Sequence, residues 1–83
     1  MTESIPKFLL ENVAMLFAEK NYSFFNFEDA VSILGQSKNY TGSILGQLVR
    51  FGWLEKKPAP DDRRKKFYRV RPLETVLSEI GQS

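Results

Sequence analysis

The stretch SKNYTGSILGQLVRFG at residues 37–52, followed by WLEKK at 53–57 and PAPDDRRKKFYRVR at 58–71, decides how the chain is read. Ser37 is a helix-capping residue type. Behind it Thr41, Ile44, Leu45 and Leu48 recur at the spacing of one helical face, with Val49 or Phe51 at its end. The opposite face is small and polar: Lys38, Asn39, Gly42, Ser43, Gly46 and Gln47. Glycine in a helix interior costs about 1 kcal/mol relative to alanine, so Gly42 and Gly46, four residues apart on one stripe, need a compensating reason. Two are open: close packing against another helix, or close approach to a ligand. Gly52 ends the helix, and Trp53 begins an extended segment with Leu54 inward. Pro58 and Pro60 exclude a continuing central strand and, with Asp61 and Asp62, form a turn. A return strand from about 65 to 71 places Tyr68 and Val70 on one face and Phe67, Arg69 and Arg71 on the other.

Working outward, the second helix reads FEDAVSIL, with Asn26 as N-cap, Asp29 completing an acidic capping box and Gly35 closing it. Ala30, Val31 and Leu34 make its inner face. Residues 23–25 allow only a short edge strand. The first helix starts near Ser4 to Pro6 and ends near Lys20, with Asn21 in a left-handed cap. Its expected core face is Leu9, Leu10, Val13, Ala14, Leu16 and Phe17. Away from that face, Phe8 and Met15, with Ala18 near the same line, suggest the seam of a homodimer; scattered apolar surface is the plainer alternative. Pro72 opens a C-terminal helix whose face is Leu73, Val76, Leu77 and Ile80.

Composition narrows the function. The 83 residues make one domain, 1–83, and contain neither cysteine nor histidine, which excludes disulfides, thiolate nucleophiles, imidazole bases and zinc-finger ligands. No metal or cofactor is expected. No apolar run approaches the roughly 20 residues that span a bilayer, and residues 1–7 lack the features of a secretion signal, so no membrane association and a cytoplasmic location are expected. The net charge is only +2, yet residues 56–71 hold eight basic groups against Asp61 and Asp62, and the remainder has an acidic excess. A positive segment on an acidic body points to a polyanion.

These residues resemble the winged helix-turn-helix fold, an α+β, mostly α class with a three-helix core, a short first strand, a two-stranded hairpin wing and a short C-terminal helix. The run from Val31 to Gly35, then Ser37, Thr41 and Ile44, is similar to its helix-turn-helix pattern. Residues 48–55, LVRFGWLE, resemble the passage from recognition helix to wing. Asp62-Arg63-Arg64 with Tyr68 and Val70 resembles the wing of the MarR-like branch and, more loosely, of the PadR-like branch. The resemblance covers most of residues 27–71.

It implies a small transcriptional regulator that binds double-stranded DNA, with the helix at 37–51 in a major groove and the wing at 56–71 on minor groove and phosphates. Lys38, Asn39, Gly42, Ser43 and Gln47 would read bases. Arg63 and Arg64 would enter the minor groove, with Asp62 bracing a wing arginine. Ser37, Arg50, Lys56, Lys65, Lys66 and Arg69 would meet phosphates. The chain lacks the long flanking helices of MarR-like dimers and their effector pocket, so a small-molecule effector is not expected. A protein-interaction module using exposed aromatics, and an RNA or single-strand binder using Phe67 beside Arg69, are the competing readings. An enzyme is least expected, since no base or cofactor loop accompanies Asp61 and Asp62.

Overall fold

The computed structural model describes residues 5–62 and 64–82. Four helices and three strands follow in the order α1 (Lys7–Lys20), β1 (Phe25–Asn26), α2 (Phe27–Leu34), α3 (Lys38–Arg50), β2 (Leu54–Pro58), β3 (Lys66–Val70) and α4 (Leu73–Gln82). This is the expected α+β, mostly α arrangement.

Local chemistry sets the element ends. α1 begins directly after Pro6, whose carbonyl accepts from the Leu9 and Leu10 amides. Asn21 takes a positive φ of 52°, but its ψ of −121° lies outside the left-handed helical region. At α2 the capping box is complete: Asn26 Oδ1 accepts from the Asp29 amide at 2.7 Å and Asp29 Oδ2 from the Asn26 amide at 3.2 Å. Gly35 closes the helix at φ 64°. Ser37 Oγ accepts from the Tyr40 amide at 3.1 Å and starts α3. Gly52, at φ 85°, lets the chain reverse so that the Trp53 amide donates to Leu48 O.

Packing follows the apolar stripes. Thr41, Ile44, Leu45 and Leu48 of α3 are buried with Leu9, Val13 and Leu16 of α1 and Ala30 and Leu34 of α2. Phe25, Trp53, Leu54, Val70 and Val76 complete the core.

Three expectations are amended. The sheet is a three-stranded antiparallel one of order β1-β3-β2, so the return strand is central and the hairpin has a second neighbour. Phe25 pairs with Tyr68, and their rings stack with centroids 6.0 Å apart. β2 continues through Pro58, which pairs with Lys66. Because Ala59 donates to Lys65 O and Arg71 to Trp53 O, the intervening even-numbered residues of β2 point their amides to the open edge, where a proline removes no ladder bond. On α1 the covered face is narrower than expected: Leu10 is 46% exposed and Ala14 is exposed. With Val13, Phe17, Ala18, Trp53 and Val70 they line an apolar groove of about 210 Å³.

On α4, Val76 is buried and Ile80 partly so, while Leu77 is 62% exposed; the Leu73 side chain lies outside the described residues. Arg71 fastens this helix, donating through Nη2 to Glu79 Oε2 at 2.7 Å and through Nη1 to Gly52 O at 2.8 Å.

Thr41 Oγ1, fully buried in α3, has no hydrogen-bond partner among the described residues. An unsatisfied buried hydroxyl costs about 1–3 kcal/mol. Thr41→Val keeps the shape and removes that cost, so it is expected to raise unfolding free energy by about 1 kcal/mol in urea titration.

Candidate nucleic-acid interface

Burial of one stripe of α3 leaves the other to solvent. Lys38, Asn39, Gly42, Ser43, Gly46 and Arg50 are exposed and Gln47 is half-buried. Gln47 Nε2 donates to Ser43 Oγ at 3.2 Å, which holds the amide along the helix surface. Neither glycine sits at positive φ. A Cβ on Gly42 would rest 3.7 Å from the Phe27 ring, an ordinary contact, and one on Gly46 would meet nothing within 4 Å. Packing inside the chain therefore does not require either glycine.

The wing is built on the β2–β3 turn. Asp62 Oδ1 accepts from the Arg64 amide at 3.0 Å and stands 3.5 Å from Arg64 Nε, so the aspartate both forms the turn and braces an arginine. The Arg64 side chain is otherwise exposed, and Lys56, Lys65 and Lys66 are exposed. Arg63 lies outside the described residues. Arg64, Lys65, Lys66 and Tyr68 face Asn26, Phe27 and Glu28 across an open cleft of about 430 Å³. Burial pushes the Tyr68 phenol further above its ordinary value. Phe27 both lines this cleft and flanks Gly42, so the cleft adjoins the exposed face of α3.

The basic run is not one patch. Strand alternation turns Arg69 and Lys57 to the other side of the sheet, where Arg69 Nε meets Glu55 Oε2 at 2.8 Å and Lys57 Nζ meets Glu55 Oε1 at 3.1 Å. Both cations also lie over the Phe24 ring, Arg69 at 4.8 Å and Lys57 at 5.7 Å from its centroid. Arg69 is thus a brace of the sheet. Ser37, likewise expected at a phosphate, has its Oγ occupied as the α3 cap. Phe8 (46%) and Met15 (44%) are exposed as a seam requires, but Ala18 turns away from them into the apolar groove.

Sequence reading passed over Tyr40, 42% exposed on the first turn of α3, and Phe27 at the cleft. The signal at Tyr40 was an aromatic ring beside, not on, the apolar stripe.

No family profile and no curated protein sequence matches this chain. Solved structures do. MarR from E. coli, a cysteine variant complexed with operator DNA, superposes with a TM-score of 0.69 at 17% identity, covering 92% of this chain and 52% of that one. A variant of MepR from S. aureus bound to an oligodeoxyribonucleotide gives 0.70 at 17%, covering 90% and 54%. BpsR of Bordetella bronchiseptica, whose DNA binding is regulated by 6-hydroxynicotinic acid, gives 0.67 at 18%, covering 90% and 59%. The fold is the winged helix-turn-helix of these MarR-type proteins, and the chain spans somewhat over half of their length. Among the described residues, no helix is long and apolar enough to cross a membrane and no group of acidic residues could hold a metal ion.

The hydrogen bonds from Arg69 and Lys57 hold the Glu55 carboxyl below its ordinary range. A depressed carboxylate pKa contributes stability above the unfolded pKa, and that contribution is lost as pH falls through the folded value. Arg69→Gln is expected to raise the Glu55 titration midpoint towards the ordinary carboxylate value, read by carboxyl NMR, and to reduce the acid sensitivity of the wing.

Proposed function

We propose that this protein binds double-stranded DNA with sequence preference, as a small cytoplasmic transcriptional regulator without catalytic activity. One observation carries the reading: α3 presents an exposed face of small and polar residues, with glycines that internal packing does not need, beside a cleft edged by basic wing residues. An α-helix fits the major groove, and glycines on its outer face permit close approach. Asn39, Ser43 and Gln47 are assigned to base edges, with Gly42 and Gly46 as the surface of approach. Arg64, Lys65 and Lys66, with Arg63, are assigned to minor groove and phosphates, and Lys56 and Arg50 to phosphates. That MarR and MepR structures of this fold hold operator DNA or an oligodeoxyribonucleotide supports the same reading.

A homodimer belongs to this proposal, since one helix reads only a few base pairs and a twofold pair about 34–36 Å apart reads a palindrome. Exposed Phe8 and Met15 on α1 support it. Phe8→Glu is expected to convert a sedimenting dimer to monomer at tens of micromolar; a wild-type monomer there removes the seam.

The central test is mobility-shift selection from random duplexes at two salt concentrations, with RNA and single strands as competitors. Gly46→Ala is expected to stabilise the fold by about 1 kcal/mol while weakening selected-site binding on the order of tenfold. Asn39→Ala should lose about 1–3 kcal/mol of discrimination at one base pair. Lys65→Ala should weaken all duplexes alike and lower the salt slope by about 0.9. Equal capture of RNA, single strands and duplex, or a Gly46→Ala protein that binds as wild type, would overturn the reading.

A further inference from the structure

We propose that Tyr40 is a positioning residue of the duplex-binding surface, its phenolic hydroxyl donating to a phosphate oxygen on one wall of the major groove; this rests on the DNA-binding reading above. At about 100° per residue, Asn39 points outward along the line of Ser43, Gly46 and Arg50, while Lys38 and Tyr40 stand about 100° to either side of it. The first turn of α3 therefore carries one side chain towards the groove floor and one towards each flank.

The flank decides what Tyr40 meets. A helix with its side chains is about 10–12 Å across and the major groove about 12 Å wide, so a side chain on the flank faces sugar and phosphate rather than base edges. Tyr40 is 42% exposed on a helix whose exposed face is otherwise small or polar. Its backbone is fixed, because its amide donates to Ser37 Oγ at 3.1 Å. Among the described residues its hydroxyl has no hydrogen-bond partner and its ring no aromatic or cationic one. A tyrosine joins an apolar body, which can rest on the groove wall, to a donor at its tip. Lys38, on the other flank, reaches the opposite wall with a charge.

The two flanks differ in how salt affects them. A neutral hydroxyl adds affinity without displacing a counterion, whereas a lysine on a phosphate adds to the salt slope. Tyr40 thus fixes the register of α3 without reading sequence and without salt dependence.

The test compares Tyr40→Phe, Lys38→Gln and Asn39→Ala on a panel of duplexes at several salt concentrations. Tyr40→Phe keeps the ring, and its thermal unfolding is expected to match wild type. It should bind every duplex about 2- to 10-fold more weakly, with the ranking of sequences and the salt slope unchanged. Lys38→Gln should lower the slope by about 0.9, and Asn39→Ala should change the ranking. Wild-type affinity in Tyr40→Phe, a changed ranking or a changed slope overturns the assignment. A wild-type protein that fails to shift any duplex overturns the DNA reading first and is seen before any variant is measured.

Discussion

Burial of Ile44, Leu45 and Leu48 in one core with Leu9, Val13, Leu16, Ala30 and Leu34 is the constraint on which the rest of the molecule depends. Each of the Val, Leu and Ile side chains among them contributes about 1.5–3 kcal/mol when fully removed from water. Because that stripe faces inward, the opposite stripe of α3 must face outward. The rotation of the helix about its axis, and hence the order Lys38, Asn39, Tyr40 across its first turn, is set by packing on the other side. Capping by Ser37 and the reversal at Gly52 fix where the helix begins and ends.

Arg71 helps tie the base of the wing to the end of that helix. Arg71 donates from its backbone to Trp53 O, from Nη1 to Gly52 O and from Nη2 to Glu79. The turn after α3, the base of the sheet and α4 therefore meet at a single residue. Charge-assisted bonds of this kind are short and directional, and this one is less than a third exposed, which limits screening by solvent. Pairing of β1 with β3 then ties the wing to the start of α2, and this places Asn26, Phe27 and Glu28 across the cleft from Arg64, Lys65 and Lys66.

What the sequence revealed and what it did not divide along the same physical line. The caps at Asn26, Gly35 and Ser37 and the turn at Asp62 depend on residues within four positions of one another, and the inner face of α3 repeats in steps of one to four, so their chemistry is legible locally. The third strand in the sheet, the exposure of Leu10 and Leu77, and the destination of Ala18 depend on which distant element arrives alongside. The expected core face of α1 is buried at Leu9, Val13 and Leu16 but not at Leu10 and Ala14, because periodicity records what could be buried while the neighbouring elements determine what is. Pro58 excludes a central strand, and β2 lies at the open edge, where its missing amide removes no ladder bond.

Charge counting failed in the same way, and the correction bears on mechanism. A run of eight cations reads as one patch, but strand alternation sends its members to two faces. Arg69 and Lys57 neutralise Glu55 and cover Phe24, and Arg71 braces α4, so the attraction available to a polyanion lies in the cleft-facing residues and the turn tip. The outer face of α3 adds only Lys38 and Arg50. A polyanion attracted mainly to the wing would be held beside α3, not by it. On the proposed reading, the helix face would then contribute through shape and hydrogen bonding over the short distance that Gly42 and Gly46 permit. Those two residues cost helix stability at positions where packing among the described residues draws no benefit, and the close approach proposed for this face would account for both lying on the exposed stripe.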